Sequence, residues 1–212
     1  MKSFWGKREN GDAAGPAADS SNAIQNSRAE RRFTVGLGRA EQLAMMLAHS
    51  RAARFVEAAD LLAGMYIYEW DRLSKFWDDR SEVEQLLRRI CSISPQRWHH
   101  WMELYDKQRH QEKQELYRLS LGLKGPHGDA VDQELKLQRS SDLESILQTA
   151  GELSPFRDDL GGRTVPVVTS ECVLLCIARN PDSEVSRRLR ETGLDLAALE
   201  RSARDPRRAP HR

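Results

Sequence analysis

The stretch Val168-Thr169-Ser170-Glu171-Cys172-Val173-Leu174-Leu175-Cys176-Ile177-Ala178 decides the fold. Thr169, Ser170 and Glu171 are residues that open helices, and every residue from Cys172 to Ala178 is apolar. A helix apolar on all faces has no side to give to water, so it belongs at the centre of a core. A second such stretch lies upstream. Val56-Glu57-Ala58-Ala59-Asp60-Leu61-Leu62 runs in the same order, and apolar residues continue through Met65, Tyr66, Trp70 and Leu73 to Trp77. This second stretch is read as one long buried helix ending near Trp77.

Working outward, the period stays helical. Ala40, Leu43, Met46 and Leu47 mark one face of a helix before the first buried stretch. After it, Ser81-Glu82-Val83-Glu84 has the form of a capping box, with Val83, Leu86, Leu87 and Ile90 facing inward. Ser94-Pro95 supplies a cap and a proline for a helix running to about Leu121. Gly122, Gly125, Pro126 and Gly128 then interrupt it. Ser141-Asp142-Leu143-Glu144 is a further capping box, and Leu143, Ile146, Leu147 and Ala150 are spaced like Leu43, Met46, Leu47 and Ser50. Residues 154–166, with Pro155, Gly161, Gly162 and Pro166, read as a loop. Past the second buried stretch, Ser183 and Asp195 open two short helices separated at Gly193.

Set side by side, the halves share one grammar. Val56 to Leu62 aligns with Val168 to Leu174, Ser81-Glu82-Val83 with Ser183-Glu184-Val185, Leu87 with Leu189, and Ser94 with Asp195. The expectation is an all-α domain of about eight helices, formed from two four-helix pseudo-repeats packed face to face. Repeat one covers 33–121, a linker 122–138, and repeat two 139–205. Residues 1–32 hold almost no large apolar residue after Trp5, too few to repay ordering, and are expected to be a disordered tail. Residues 206–212, rich in Arg and Pro, are expected to be a flexible basic tail.

From Val168 to Ala178, through Asp182-Ser183 and Leu189 to Gly193-Leu194-Asp195-Leu196, the second half resembles the repeat of the Clp N-terminal domain family. That family reads Thr-Glu-His, a leucine-rich helix, a short acidic break, a leucine-bearing helix, then Gly-Val-Asp and a final helix. The likeness is clearest over 140–203 and weaker over 33–110. The family's His is replaced by Cys172 in one half and Asp60 in the other, so no peptide-contact residue carries over. The resemblance implies a double Clp-N-like fold and a module that recruits substrates or adaptors to an ATPase–protease machine. The sequence contains no Gly-x-x-x-x-Gly-Lys-Ser/Thr, so the expectation is a free-standing module without an ATPase, with a Clp ATPase, a protease or a substrate protein as its partner.

Composition narrows the function classes. Lys and Arg number 33 against 32 Asp and Glu, so the chain has no charge bias of the kind that nucleic acid or an anionic membrane selects. Met1 to Arg8 turns polar at once and lacks the apolar core of a secretory signal, which points to the cytoplasm. Cys91, Cys172 and Cys176 are too few to close a structural zinc site and read as buried reduced thiols. His99, His100 and Glu103 lack the spacing of a metalloprotease helix, in which two histidines stand four apart. A non-enzymatic protein-interaction module without cofactor or metal is therefore expected. Its candidate contact residues are Trp98, Trp101 and Tyr105, although the same spacing also describes an inward-facing seam. The alternative reading is a self-associating regulatory or structural helical protein with no Clp connection.

Overall fold

The computed structural model describes residues 31–120, 137–181 and 183–205. The expected basic tail, most of the expected N-terminal tail and most of the expected linker lie outside the described residues. The described residues hold eight helices and five short strands, an all-α fold. The order is β1 (Arg32–Phe33), α1 (Val35–Ser50), β2 (Phe55–Val56), α2 (Ala58–Leu73), α3 (Arg80–Ile90) and α4 (Pro95–Ser120). There follow β3 (Gln138–Arg139), α5 (Ser141–Leu153), β4 (Arg157–Leu160), β5 (Arg163–Val168), α6 (Ser170–Arg179), α7 (Glu184–Glu191) and α8 (Leu196–Arg204).

The two stretches that decided the fold become α2 and α6, and both are interior. Every residue of α6 from Ser170 to Ala178 is buried, as is every residue of α2 from Ala59 to Ile67. A fully buried leucine such as Leu61 or Leu174 contributes about 1.5–3 kcal/mol relative to an exposed one. Each of these helices organises its own half. The first, α2, packs against α1, α3 and α4; α6 packs against α5, α7 and α8. The two halves then meet through α2 against α6 and α3 against α7.

The strands tie the halves together crosswise. β1, which precedes α1, pairs in parallel with the end of β5, which precedes α6, in the register Arg32 with Val167 and Phe33 with Val168. β3, which precedes α5, pairs in parallel with β2, which precedes α2, in the register Phe55 with Gln138 and Val56 with Arg139. Thr34 then caps α1, its hydroxyl accepting from the Leu37 amide at 3.3 Å, and Ser140 caps α5 by accepting from Leu143 at 3.2 Å. Counted from these caps, Leu37 stands third in α1 and Leu143 third in α5, whereas Leu43, set beside Leu143 by spacing alone, stands six residues further along α1.

Other expectations are corrected at element ends. Arg31 and Arg32, assigned to the tail by composition, are held in place: Arg32 lies in β1 and Arg31 pairs with Glu144 at 2.7 Å. Gln138, assigned to the linker, is part of β3. The cap of α3 is Asp79, whose carboxylate accepts from Ser81, and the cap of α5 is Ser140; Ser81 and Ser141 are the expected residues. α2 loses helical geometry at Glu69 (φ −114°, ψ 22°) and ends at Leu73, and a 3-10 turn over Ser74–Phe76 leads to an extended Trp77. The expected loop 154–166 is mostly a hairpin. β4 and β5 pair antiparallel across Gly161 and Gly162, both at positive φ, the two-residue turn that suits the twist of antiparallel strands.

Candidate functional site

The expected contact stripe on α4 points inward. Trp98 is 1% exposed and Tyr105 7%, while Trp101 is partly buried. Trp98 lies 5.7 Å from Tyr66, Trp101 lies 6.1 Å from Tyr105, and Tyr105 stands edge-on to Tyr68 at 6.3 Å. The Tyr105 hydroxyl donates to the sulfur of Met46 at 3.4 Å. These rings form the seam that fastens α4 to α2 and α1, so Trp98 and Tyr105 are core residues and present no docking surface. The reason is geometric: a helix lying on a core turns its three-and-four row toward that core.

The outward face of α4 carries His99 and Glu103, paired at 3.3 Å and both exposed. Among the described residues no group of three His, Cys, Asp or Glu side chains could hold a metal ion. The three thiols are buried. Burial pushes the Cys91 and Cys176 thiols up to about 12 and raises that of Cys172 as well, which keeps all three protonated and poorly nucleophilic at neutral pH.

Two clusters of buried charge are built on acids of α2, and a third joins Arg139 of β3 to buried Glu41 of α1 at 2.5 Å and to Glu144 of α5 at 3.3 Å. In the first half, Asp60 is wholly buried at the start of α2. It accepts two bonds from the Arg51 guanidinium at 2.5 and 2.6 Å and one from the Glu57 amide at 2.9 Å. The second cluster lies where α1, α2 and α6 converge. Glu69, at the irregular turn of α2, accepts from the Ser170 hydroxyl, and its carboxylate fills the space that a Cβ on Gly36 would occupy. Arg72 reaches both acids, Glu171 at 2.8 Å and Glu69 at 3.6 Å. Burial pushes the Glu69 carboxyl up to about 7; Arg72 opposes the shift and Glu171 adds to it. The second oxygen of Glu171 is buried without a hydrogen-bond partner. This cluster joins the halves, and sequence spacing gave no sign of it, because Glu69 and Glu171 lie on separate elements of opposite halves.

The surface feature with the shape of a site is a cleft between the end of α3 and the start of α4. It holds about 580 Å³ and is lined by Gln85, Arg88, Arg89, Ser92, Ile93 and Ser94. Backbone bonds make it. Cys91 donates to Leu87, Ser92 to Arg89 and Ile93 to Arg88, so the last carbonyls of α3 are satisfied by the chain itself. This wrap requires Ser92 at φ 52°, a left-handed conformation usually left to glycine. Ser94 then starts α4, its hydroxyl accepting from the Arg97 amide at 3.3 Å. The result is an open hollow whose lining includes two arginines and the apolar Ile93.

Comparison with known proteins finds no match for this chain among family models, curated proteins or solved structures.

Proposed function

We propose that this chain is a protein-docking module of the Clp N-terminal type, which binds a partner on its surface and carries out no reaction of its own. One observation carries the reading: each half contributes the strand that completes the other. Thr34 donates to Val168 at 3.1 Å and Ser140 donates to Val56 at 2.9 Å, matching bonds at matching positions. A helical unit that occurs twice and is closed by its own copy is the architecture that the resemblance to the Clp repeat implies. Support also comes from the sequence of Thr169 through Ala178, where a capped, all-apolar helix stands at the centre of its half. The buried polar groups are accounted for as joints: Asp60 holds the α1–α2 loop, and Glu69, Arg72 and Glu171 hold α6 against α2. Docking is then left to the outer surface, where the α3–α4 cleft lies.

The test uses the full chain in solution over an immobilised, purified Clp-type ATPase, and separately over its protease. The expected result is saturable retention on the ATPase that free chain in excess displaces. Absence of retention on both would overturn the Clp assignment.

A further inference from the structure

We propose that the cleft between α3 and α4 seats an acidic segment of a partner protein, with Arg88 and Arg89 pairing its carboxylates. This rests on the docking reading above and names the chemistry of the partner.

Cations often sit at the end of a helix because they complement its dipole and cap its carbonyls. Here the carbonyls of Leu87, Arg88 and Arg89 in the last turn of α3 already accept backbone N–H bonds, so no arginine is needed to cap those three. A second ordinary use of surface arginine is an ion pair along its own helix. On α7, which packs against α3, Arg187 and Arg188 are used in this way, while Arg190 donates to the Ser186 carbonyl at 3.4 Å. Arg187 pairs with Glu184 at 2.6 Å and Glu191 at 2.5 Å, and Arg188 pairs with Glu184 at 2.5 Å. On α3, Glu84 stands four residues before Arg88, the spacing for the same pair. Yet neither Arg88 nor Arg89 forms an ion pair with any described residue. The Nε of Arg88 is moreover buried without a hydrogen-bond partner.

Two arginines with no carboxylate partner among the described residues therefore line a hollow whose volume falls in the range of about 300–1,000 Å³ typical of binding clefts. A guanidinium presents a planar fork of N–H donors, which a carboxylate, like a phosphate, matches two bonds at a time. Gln85, Ser92 and Ser94 offer side-chain donors and acceptors for the backbone of an extended segment, and Ile93 offers an apolar floor. A nucleic acid would match a broad cationic field, whereas this chain balances 33 basic against 32 acidic residues. Two local arginines in a hollow suit a short acidic stretch of polypeptide better.

The test is fluorescence anisotropy of a labelled ten-residue glutamate peptide titrated with the full chain, and in parallel of a labelled ten-nucleotide single-stranded DNA. The wild-type chain should bind the peptide more tightly than the oligonucleotide and more weakly as salt rises. Arg88→Gln together with Arg89→Gln should weaken peptide binding by at least about tenfold, the scale of one charge-assisted contact. Arg187→Gln with Arg188→Gln, on α7, should leave it unchanged. Arg89→Glu alters an exposed side chain only and should also abolish binding, which guards against a double variant that fails to fold. Absence of peptide binding, equal loss in both double variants, or tighter binding of the oligonucleotide would each overturn the proposal. A chain that binds the Clp ATPase equally well with and without Arg88 and Arg89 would sink the cleft assignment while leaving the docking module standing.

Discussion

The amide of Ser140 donates to the carbonyl of Val56 at 2.9 Å, and at the matching point of the other half Thr34 donates to Val168 at 3.1 Å. Each donor is also the cap of the helix that follows it. One residue thus ends the strand exchange and begins α1 or α5. Thr34→Ala and Ser140→Ala each remove a cap hydroxyl, and each should cost about 1 kcal/mol. Because each position joins both halves, each variant should unfold in one transition when followed by near- and far-ultraviolet circular dichroism. A biphasic curve in either variant would mean that the halves melt apart.

Helix packing makes a sharper forecast. Gly64 of α2 lies against the backbone of α1 so closely that a Cβ there would overlap the carbonyl oxygen of Ala40. Backbone cannot move aside as a side chain can, so Gly64→Ala should destabilise by about 3 kcal/mol or more. Gly38 is the control. It sits within α1 with nothing near its missing Cβ, and Gly38→Ala should stabilise by about 1 kcal/mol through helix propensity. Urea denaturation reads both, and effects of equal sign would contradict the packing described.

The position of Glu69 gives a pH dependence. Its carboxyl rises from an ordinary 4.5 to about 7 in the fold because burial disfavours the charge. Between those values the folded chain holds the proton and the unfolded chain releases it. The contribution of Glu69 to stability is therefore best below pH 4.5 and is lost as the pH rises through 7. At about 1.4 kcal/mol per unit the full span is at most about 3 kcal/mol. Glu69→Gln keeps an acceptor for Ser170 and cannot ionise. The variant should be more stable than wild type at pH 8, and the gap should shrink toward zero by pH 5. A gap that stays constant across this range would show that Glu69 does not titrate there.

Asp60 is a buried acid of another kind, bonded on both oxygens by one guanidinium. Asp60→Ala leaves the Arg51 guanidinium and the Glu57 amide without their shared acceptor. The expected cost is about 3 kcal/mol, the scale for breaking a buried ion pair from one side. Restoring neutrality with Arg51→Met in the Asp60→Ala background should recover part of it, since no charge is then left unpaired. An equal or greater loss in the double variant would contradict this account of the joint.

What the sequence made legible follows from periodicity. The helices around Leu61 and Leu174 announced themselves because an all-apolar capped run has one place to go. Ser94, Ser183 and Asp195 were readable as starts because capping is a local bond. The hairpin of β4 and β5 was missed although Gly161-Gly162 stands between its strands. Pro166 spoke against a strand there. In the structure Pro166 stands opposite Arg157 at the open end of the hairpin, and β1 pairs only with Val167 and Val168 beyond it. The crosswise strands are two residues long and leave no pattern of their own. The α4 aromatics were visible but their direction was not, since the spacing of Trp98, Trp101 and Tyr105 is the same for an inward seam and an outward stripe. The cleft at Arg88 and Arg89 was not legible at all. It depends on a left-handed Ser92, and nothing local marks a serine for that conformation.

Native-state hydrogen exchange at the Thr34 and Ser140 amides tests the crosswise closure of the two halves most directly. If each half is completed by the other, both amides open only with global unfolding and exchange with the same free energy, equal to that of the most protected amides in α2 and α6. An amide at either position that exchanges through a local opening well below the global value, while its counterpart stays protected, would contradict the account.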